Sequence, residues 1–216
     1  MKVLVLSGSN HGFDKSAPII SDFLDAADGV TAVLTEDASI LASSELGDYD
    51  AVVHGSGFTR GARQADGTVV MVSVLSDAEE DGLFDFVAGG GGFVGVHGTA
   101  WCIGGRAIGL LGGHANWHPP GDTFTVDIAN TDHEITAGIA PFEVEDEIYM
   151  SAWDPAIDIL ATAEWSGRNH PLAWTKTHGE GRVFYTALGH GPGTFERPAM
   201  QRLMTQGTVW AGGGAA

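Results

Sequence analysis

The chain has 216 residues, 44% of them hydrophobic, which is enough to bury the core of one α/β domain. It carries 28 acidic residues against 10 basic residues, a formal net charge of −18. A surface of this sign repels nucleic acid and anionic membranes, so we expect neither as a partner. The acidic residues are scattered along the chain, a pattern that salt-adapted (halophilic) proteins and ordinary acidic enzymes share.

The sequence also bears on location. No apolar run approaches the roughly 18–20 residues that span a bilayer, and the opening MKVLVLSGSN is too short for a signal peptide. The single cysteine, Cys102, has no partner for an internal disulfide, as is usual in a reducing compartment. We therefore expect a cytoplasmic location. The apolar neighbours of Cys102 predict a small buried side chain rather than a nucleophilic thiolate.

The first half of the chain alternates strand-like and helix-like segments. Residues 2–8 (KVLVLSG) are typical of a strand buried on both faces, and VTAVLTED, YDAVVHGSG and the start of GGGGFVGVHGTAW continue the series. Ser16 predicts the N-cap of the first helix, and Ser76 with Glu79 has the spacing of a capping box before the next. This alternation predicts a doubly wound sheet with its ligand site at the carboxyl ends of the strands.

The second half contains shorter strand-like segments. These are DTFTVDIA, FEVEDEIYM and DILATAEW, followed by HPLAWTK and RVFYTALGH as a hairpin across THGEG. Residues 196–210 are predicted to close the chain as a helix. We predict one domain over residues 1–216. A homo-oligomer is compatible with the sequence, and residues 56–75 fit a lid, a contact surface or an edge strand.

Histidines stand where several of the predicted strands end. His11 follows the first strand, His97 the fourth and His190 the last, so parallel strands would bring these three residues to one edge of the sheet. A single histidine at such a place is most often a hydrogen-bonded turn residue, but several together indicate a site. His54, at the end of the third strand, is interpreted as structural.

The segment GGHANWHPP contains two histidines, His114 and His118, spaced four residues apart. On a helix this spacing would place both on one face, as a metal site requires. The flanking glycines and prolines favour a loop instead. Trp117 suits the wall of a sugar pocket and equally suits packing.

The segment EVEDEIYM is rich in carboxylates. On a strand, Glu143, Glu145 and Glu147 would share one face, and Asp146 would share the other with Ile148. Such a run is usually a solvated edge, but one carboxylate that faces a pocket becomes a general acid or base. Glu147, closely followed by Tyr149, is the preferred candidate.

An ordered set of segments carries a resemblance to a known family: KVLVLSGSNHGF, GGGGFVGVHGTAW, GGHANWHPP, TDHEITAGI, EDEIYM and HPLAWTKTHGEGRVFYTALGH. Over nearly its whole length the chain resembles the ThuA-like (trehalose utilisation) family, within the class I glutamine-amidotransferase-like superfamily. The resemblance implies a flavodoxin-like, doubly wound, mostly parallel sheet with helices on both faces and an antiparallel hairpin in the C-terminal half. It also implies a pocket around His11, His97, His118, Glu147 and His190.

The same resemblance shows where this chain departs from amidotransferases. Those enzymes have a cysteine nucleophile at the strand-to-helix corner and a His-x-Glu after a late strand. Here VGVHGTA places His97 at the position of the cysteine, and GHGPG places Pro192 at that of the glutamate. Thioester chemistry needs both groups, so we expect no release of ammonia from glutamine.

Three functional hypotheses remain, and the sequence leaves open whether the protein is an enzyme. The first is an enzyme that enolises a carbohydrate derivative, such as a 3-keto-glycoside, with isomerisation or cleavage of the glycosidic bond. Its catalytic residues are His97, Glu147 and His190, and His11, Trp117, His118 and Tyr149 bind the substrate. The second is a metal-assisted hydrolase in which one Zn²⁺ or Mn²⁺ ion has His118 and His190 among its ligands. The third is a non-catalytic sugar-binding or metabolite-binding protein on the same scaffold.

Overall fold

A computed structural model of the protein describes residues 1–102 and 106–214; the side chain of Cys102, on which one prediction rests, lies outside this description. The strands are β1 Lys2–Leu6, β2 Thr31–Thr35, β3 Ala51–His54, β4 Thr59–Arg63, β5 Val69–Ser73, β6 Gly92–Val96, β7 Gly113–Trp117, β8 Asp122–Ile128, β9 Phe142–Asp146, β10 Met150–Trp153, β11 Asp158–Trp165, β12 Arg168–His178 and β13 Gly181–Thr186. The helices are α1 Phe13–Asp25, α2 Asp77–Ala88, α3 Thr99–Cys102, α4 Ala107–Leu111, α5 Pro192–Phe195 and α6 Pro198–Ala211.

Within the described residues, nine strands form one sheet in the order β2-β1-β3-β6-β13-β12-β11-β8-β9. The strands from β2 to β13 are parallel, and those from β13 to β9 are antiparallel. The predicted α/β sheet with a hairpin, here β12–β13, is confirmed. The antiparallel part extends beyond that hairpin, because β11, β8 and β9 add to the same sheet.

The central parallel strands are apolar because both of their faces are covered. Strands β3 and β6 are buried along their whole length, as is all of β1 after its first residue. On β6 the missing Cβ of Gly92 faces Ala211 of α6, and that of Gly95 faces Leu111 of α4. Residues three apart on a strand point to opposite faces, so these two helices cover opposite sides of the sheet.

Local signals set the helix ends. The capping box of Ser76 and Glu79 is present at the start of α2. The prediction for Ser16 is wrong, because α1 begins at Phe13 and Ser16 is buried inside it. The helix begins early because Gly12, at φ 67°, turns the chain directly from a short 3-10 segment into the helix.

Two two-stranded antiparallel sheets lie outside the main sheet. Residues 59–73 form the antiparallel pair β4–β5. Strand β7 pairs with β10, so the prediction of a loop for GGHANWHPP is wrong. The backbone of β7 pairs with β10, which is more than 30 residues away in the sequence, so the flanking glycines and prolines could not indicate this strand. None of the described helices is long and apolar enough to cross a membrane.

His54 is a core residue at the end of β3. Its ring is fully buried, packs against Phe58 and Phe93, and has its Nδ1 3.4 Å from the hydroxyl of Thr99. Its Nε2 has no hydrogen-bond partner among the described residues. Burial disfavours the charged ring and lowers the pKa of His54 to about 4.

This shift predicts a loss of stability in mild acid. The unfolded chain binds a proton at His54 near pH 6.5, whereas the folded chain does so only near pH 4, so stability is complete above pH 6.5 and falls below it. Between pH 7 and pH 4.5 this residue lowers the free energy of unfolding by about 2 kcal/mol. Urea denaturation at both pH values measures this change. The free energy of unfolding should fall by about 2 kcal/mol more in the wild type than in His54→Phe, and an equal fall in the two proteins would contradict the prediction.

Candidate functional site

Three histidine rings meet at the carboxyl edge of the parallel strands. His11 follows β1, His97 follows β6 and His190 follows β13. The ring centroids are 5.5 Å apart for His11 and His97, 5.0 Å for His11 and His190, and 5.4 Å for His97 and His190. Parallel pairing of the strands brings these distant positions together.

His97 occupies the corner between β6 and α3 in a strained conformation. Its φ is 48°, in the left-handed region that costs a non-glycine residue roughly 1–3 kcal/mol. Three groups of residues 185–187, at the end of β13 and just after it, stabilise this conformation. The backbone N–H of His97 donates to the carbonyl of Thr186 (2.7 Å), its carbonyl accepts from the hydroxyl of Tyr185 (2.8 Å), and its ring Nδ1 lies 2.7 Å from the carbonyl of Ala187.

These contacts determine the protonation of the His97 ring. A carbonyl only accepts, so Nδ1 carries the proton that bonds to Ala187. Burial lowers the pKa of His97 well below its ordinary value, so Nε2 has no proton and presents a lone pair. That lone pair accepts from the hydroxyl of Tyr149 at 2.7 Å, and burial raises the pKa of Tyr149, which keeps the donor protonated.

Glu147 is separated from the other glutamates by the end of its strand. The alternation expected for a strand through residue 147 is wrong, because β9 ends at Asp146. Glu143 and Glu145 are exposed, whereas Glu147 is 9% exposed. Its Oε1 lies 3.3 Å from Nδ1 of His190 and 3.5 Å from Nδ1 of His118.

The second carboxylate oxygen of Glu147 lacks a partner. Oε2 is buried, and no described residue donates a hydrogen bond to it. Nε2 of His97 lies 3.6 Å away, but this contact is not an ion pair, because the ring is neutral and Nε2 has no proton to donate. A buried carboxylate oxygen without a donor is uncommon and needs a functional explanation.

His11 is the second strained histidine of the site. Only three non-glycine residues of the described chain have a positive φ, and His11 (57°) and His97 are two of them. Burial lowers the pKa of His11, the neighbouring His190 lowers it further, and Glu147 opposes both effects. Backbone strain at two of the three clustered histidines indicates a functional site.

Asp146 was missed by the sequence analysis and connects the two sides of the site. Its carboxylate accepts from the backbone N–H groups of Glu147 (2.8 Å), Gly189 (2.8 Å) and His190 (3.2 Å), and from the hydroxyl of Thr194 (2.6 Å). Burial raises the pKa of Asp146, and these hydrogen bonds oppose the rise. The residue therefore positions both Glu147 and His190. An acidic residue beside the preferred carboxylate was the available signal.

Of the other residues that the sequence analysis singled out, His118 lies at the site, whereas Trp117 and His114 contact other tryptophans. His118 joins the site, with its ring 5.6 Å from that of Tyr149 and its Nδ1 bonded to the carbonyl of Pro119 (2.9 Å). Trp117 is 53% exposed and packs against Trp165, with ring centroids 5.9 Å apart. His114 contacts Trp101, with ring centroids 6.2 Å apart, and is outside the cluster of possible metal ligands found among the described residues.

A cleft opens beside these residues. Its volume is about 610 Å³, within the usual range for small-molecule sites. Glu147 and His190 line it together with the segment that Asp146 positions; the further lining residues are Gly121, Glu145, Gly191, Gly193, Thr194, Glu196 and Arg197. The arrangement places a buried carboxylate and an imidazole where a bound molecule reaches both.

The role of Asp146 predicts a large effect on stability. In Asp146→Asn one acceptor oxygen becomes an NH₂ donor that faces other donors, so we expect a loss of about 3 kcal/mol in the free energy of unfolding. Glu145→Gln, an exposed neighbour on the same strand, is the control and should change it by less than about 0.5 kcal/mol. Chemical denaturation measures both. Equal effects for the two variants would show that the Asp146 contacts do not stabilise the fold.

Comparisons with known proteins agree with this fold. The sequence profile of ThuA, described as trehalose utilisation, matches residues 2–211. No curated protein sequence matches the chain significantly. Among solved structures, a ThuA-like protein from Parabacteroides merdae superposes with a TM-score of 0.74 at 19% identity, covering 98% of this chain and 89% of that chain.

Two further solved structures extend the comparison. A cytoplasmic protein from Salmonella typhimurium LT2 has a TM-score of 0.65 at 17% identity and covers 98% of this chain and 97% of its own. A β-galactosidase from Bacillus circulans sp. alkalophilus has a TM-score of 0.60 at 12% identity, over 96% of this chain and 31% of its own. At these identities the likeness is one of fold, but the profile match spans almost the whole sequence. The chain belongs to the ThuA family of trehalose utilisation.

Proposed function

We propose that the protein is an enzyme of carbohydrate metabolism that enolises an oxidised sugar, a 3-keto-glycoside. The observation that carries the proposal is the buried Glu147 carboxylate, with one oxygen free of donors beside the Tyr149–His97 pair. The family description, trehalose utilisation, supports a sugar as the substrate class. The β-galactosidase neighbour shares the fold and adds nothing about the reaction.

Glu147 is the base in this proposal. A proton next to a ketone is acidic enough for a positioned carboxylate to remove, and its electron pair then moves to the ketone oxygen. Oε2 is suited to this step because no hydrogen bond competes for its lone pairs. Oε1 stays near His118 and His190, which fix the orientation of the carboxylate.

The developing enediolate needs a donor, and Tyr149 supplies it. Its hydroxyl is protonated and donates a hydrogen bond to Nε2 of His97. In the proposed reaction the hydroxyl donates to the substrate oxygen instead. His190, half-exposed at the cleft, is the group that protonates the departing oxygen. His11, His118 and Trp117 complete the proposal as substrate-binding residues, with Trp117 offering an aromatic face to a sugar ring.

Two outcomes follow from the same intermediate. Delivery of the proton to C3, with loss of the proton from the hydroxyl at C2, converts the 3-keto sugar into its 2-keto isomer. When the C3 ketone reforms instead, the electron pair expels the oxygen at C1, which takes its proton from the acid and breaks the glycosidic bond. Both outcomes begin with loss of the C2 proton, so both are tested by exchange at that position.

The test is exchange of the C2 hydrogen of a 3-keto-glucoside in deuterated water, followed by NMR. Glu147→Gln should slow exchange by about 10²–10⁴-fold, because the amide cannot accept the proton. His97→Ala should also slow it, by removing the partner of Tyr149. Glu143→Gln, an exposed carboxylate on the same strand, is the matched control and should leave the rate unchanged.

Other results would redirect the assignment. Exchange that is unaffected by Glu147→Gln and His97→Ala would contradict the proposed roles. Cleavage without exchange would favour a hydrolase, and binding of the sugar without turnover would favour a non-catalytic binding protein. Thermal melts of each variant separate loss of the base from loss of the fold.

A further inference from the structure

Four metal-ligating groups converge at the site. A ring nitrogen of each of His11, His97 and His190 and a carboxylate oxygen of Glu147 lie within 4.8 Å of one another. Imidazole nitrogens with one carboxylate are a common ligand set for Zn²⁺ and related divalent transition ions. His118, one of the two metal ligands that the sequence suggested, is not in this group, whereas His190 is.

A second observation points to a cation. Oε2 of Glu147 is buried in a residue that is 9% exposed, and no described residue donates to it. A buried carboxylate oxygen without a partner is costly, because burial removes its water without replacing it. A bound cation beside the three imidazoles would provide the missing charge.

The His97 ring already has the orientation of a metal ligand. Metal-binding histidines usually donate their other ring N–H to a carbonyl or carboxylate, which fixes the tautomer. Nδ1 of His97 donates in this way to Ala187, which leaves the Nε2 lone pair directed to the cluster. The hydroxyl of Tyr149 at 2.7 Å now occupies that lone pair, so Tyr149 and an ion compete for it.

We infer that His11, His97, His190 and Glu147 bind one divalent transition-metal ion, Zn²⁺ or Mn²⁺. The missing partner of Oε2 makes it the oxygen that binds the ion, so Oε1 is the base in the ion-bound chain and Oε2 is the base only in the metal-free chain. Ion binding to His97 releases the hydroxyl of Tyr149 toward the substrate. The ion site goes beyond the proposed reaction, because it is argued from the ligand geometry and is tested by ion binding in the absence of any sugar.

The test is titration of the chelator-treated full chain with Zn²⁺ and Mn²⁺ by calorimetry, with Co²⁺ absorption as a second readout of ligand geometry. We expect one site per chain. Glu147→Gln and His190→Ala should each weaken binding by at least about tenfold, since each removes a ligand. His114→Ala is the matched control, a histidine whose ring contacts Trp101 outside the ligand set, and should change affinity less than about threefold.

Tyr149→Phe gives a result that a merely structural role would not produce. It removes the hydroxyl that competes for Nε2 of His97, so binding should be tighter than in the wild type. Mg²⁺, which disfavours nitrogen ligands, should not compete with Zn²⁺. His190 is 49% exposed at its side chain, so His190→Ala should fold normally even if another variant does not.

Three results would overturn the inference: no binding of Zn²⁺ or Mn²⁺ below about 100 μM, binding retained in both Glu147→Gln and His190→Ala, or an equal loss in His114→Ala. Failure of the inference differs from failure of the proposed reaction. A chain that binds no ion but still exchanges the C2 proton supports the proposed reaction and contradicts the ion site. A chain that binds the ion but exchanges no proton supports the ion site and contradicts the proposed reaction.

Discussion

The hydrogen bond between the His97 ring and the carbonyl of Ala187 determines the chemistry of the site. It fixes the proton on Nδ1 and leaves the Nε2 lone pair facing Tyr149. Strand β13 and the residue after it supply three of the groups that stabilise the strained corner, since Tyr185, Thr186 and Ala187 bond to the same residue. The parallel pairing of β6 with β13 therefore positions the functional ring as well as the core.

The carboxylate side of the site depends on where β9 ends. A strand that continued through residue 147 would place Glu147 on the same exposed face as Glu143 and Glu145. The chain leaves the strand after Asp146, whose buried carboxylate bonds to the segment that carries His190. One buried acid thus positions the other and, with it, the third histidine. Two neighbouring carboxylates have different roles because one accepts four hydrogen bonds and the other has a free oxygen.

Much of this arrangement follows from local sequence. Continuous apolar runs predict the buried strands, and the ends of parallel strands predict that His11, His97 and His190 meet. The remainder depends on contacts between distant residues. Strand β7 forms because β10 pairs with it, and three of the four hydrogen-bond partners of Asp146 are more than 40 residues away. None of these contacts has a periodic signature, so sequence spacing alone did not identify them.

The most direct measurement is the tautomer of His97 in the metal-free protein, from long-range ¹H–¹⁵N NMR correlations of its imidazole nitrogens. We predict a neutral ring with the proton on Nδ1 and an unprotonated Nε2, and a shift of the Nε2 resonance in Tyr149→Phe when its hydrogen bond is lost. A proton on Nε2, or a charged ring at neutral pH, would contradict this. In that case Tyr149 would have no acceptor at His97, and Nε2 would have no lone pair for an ion.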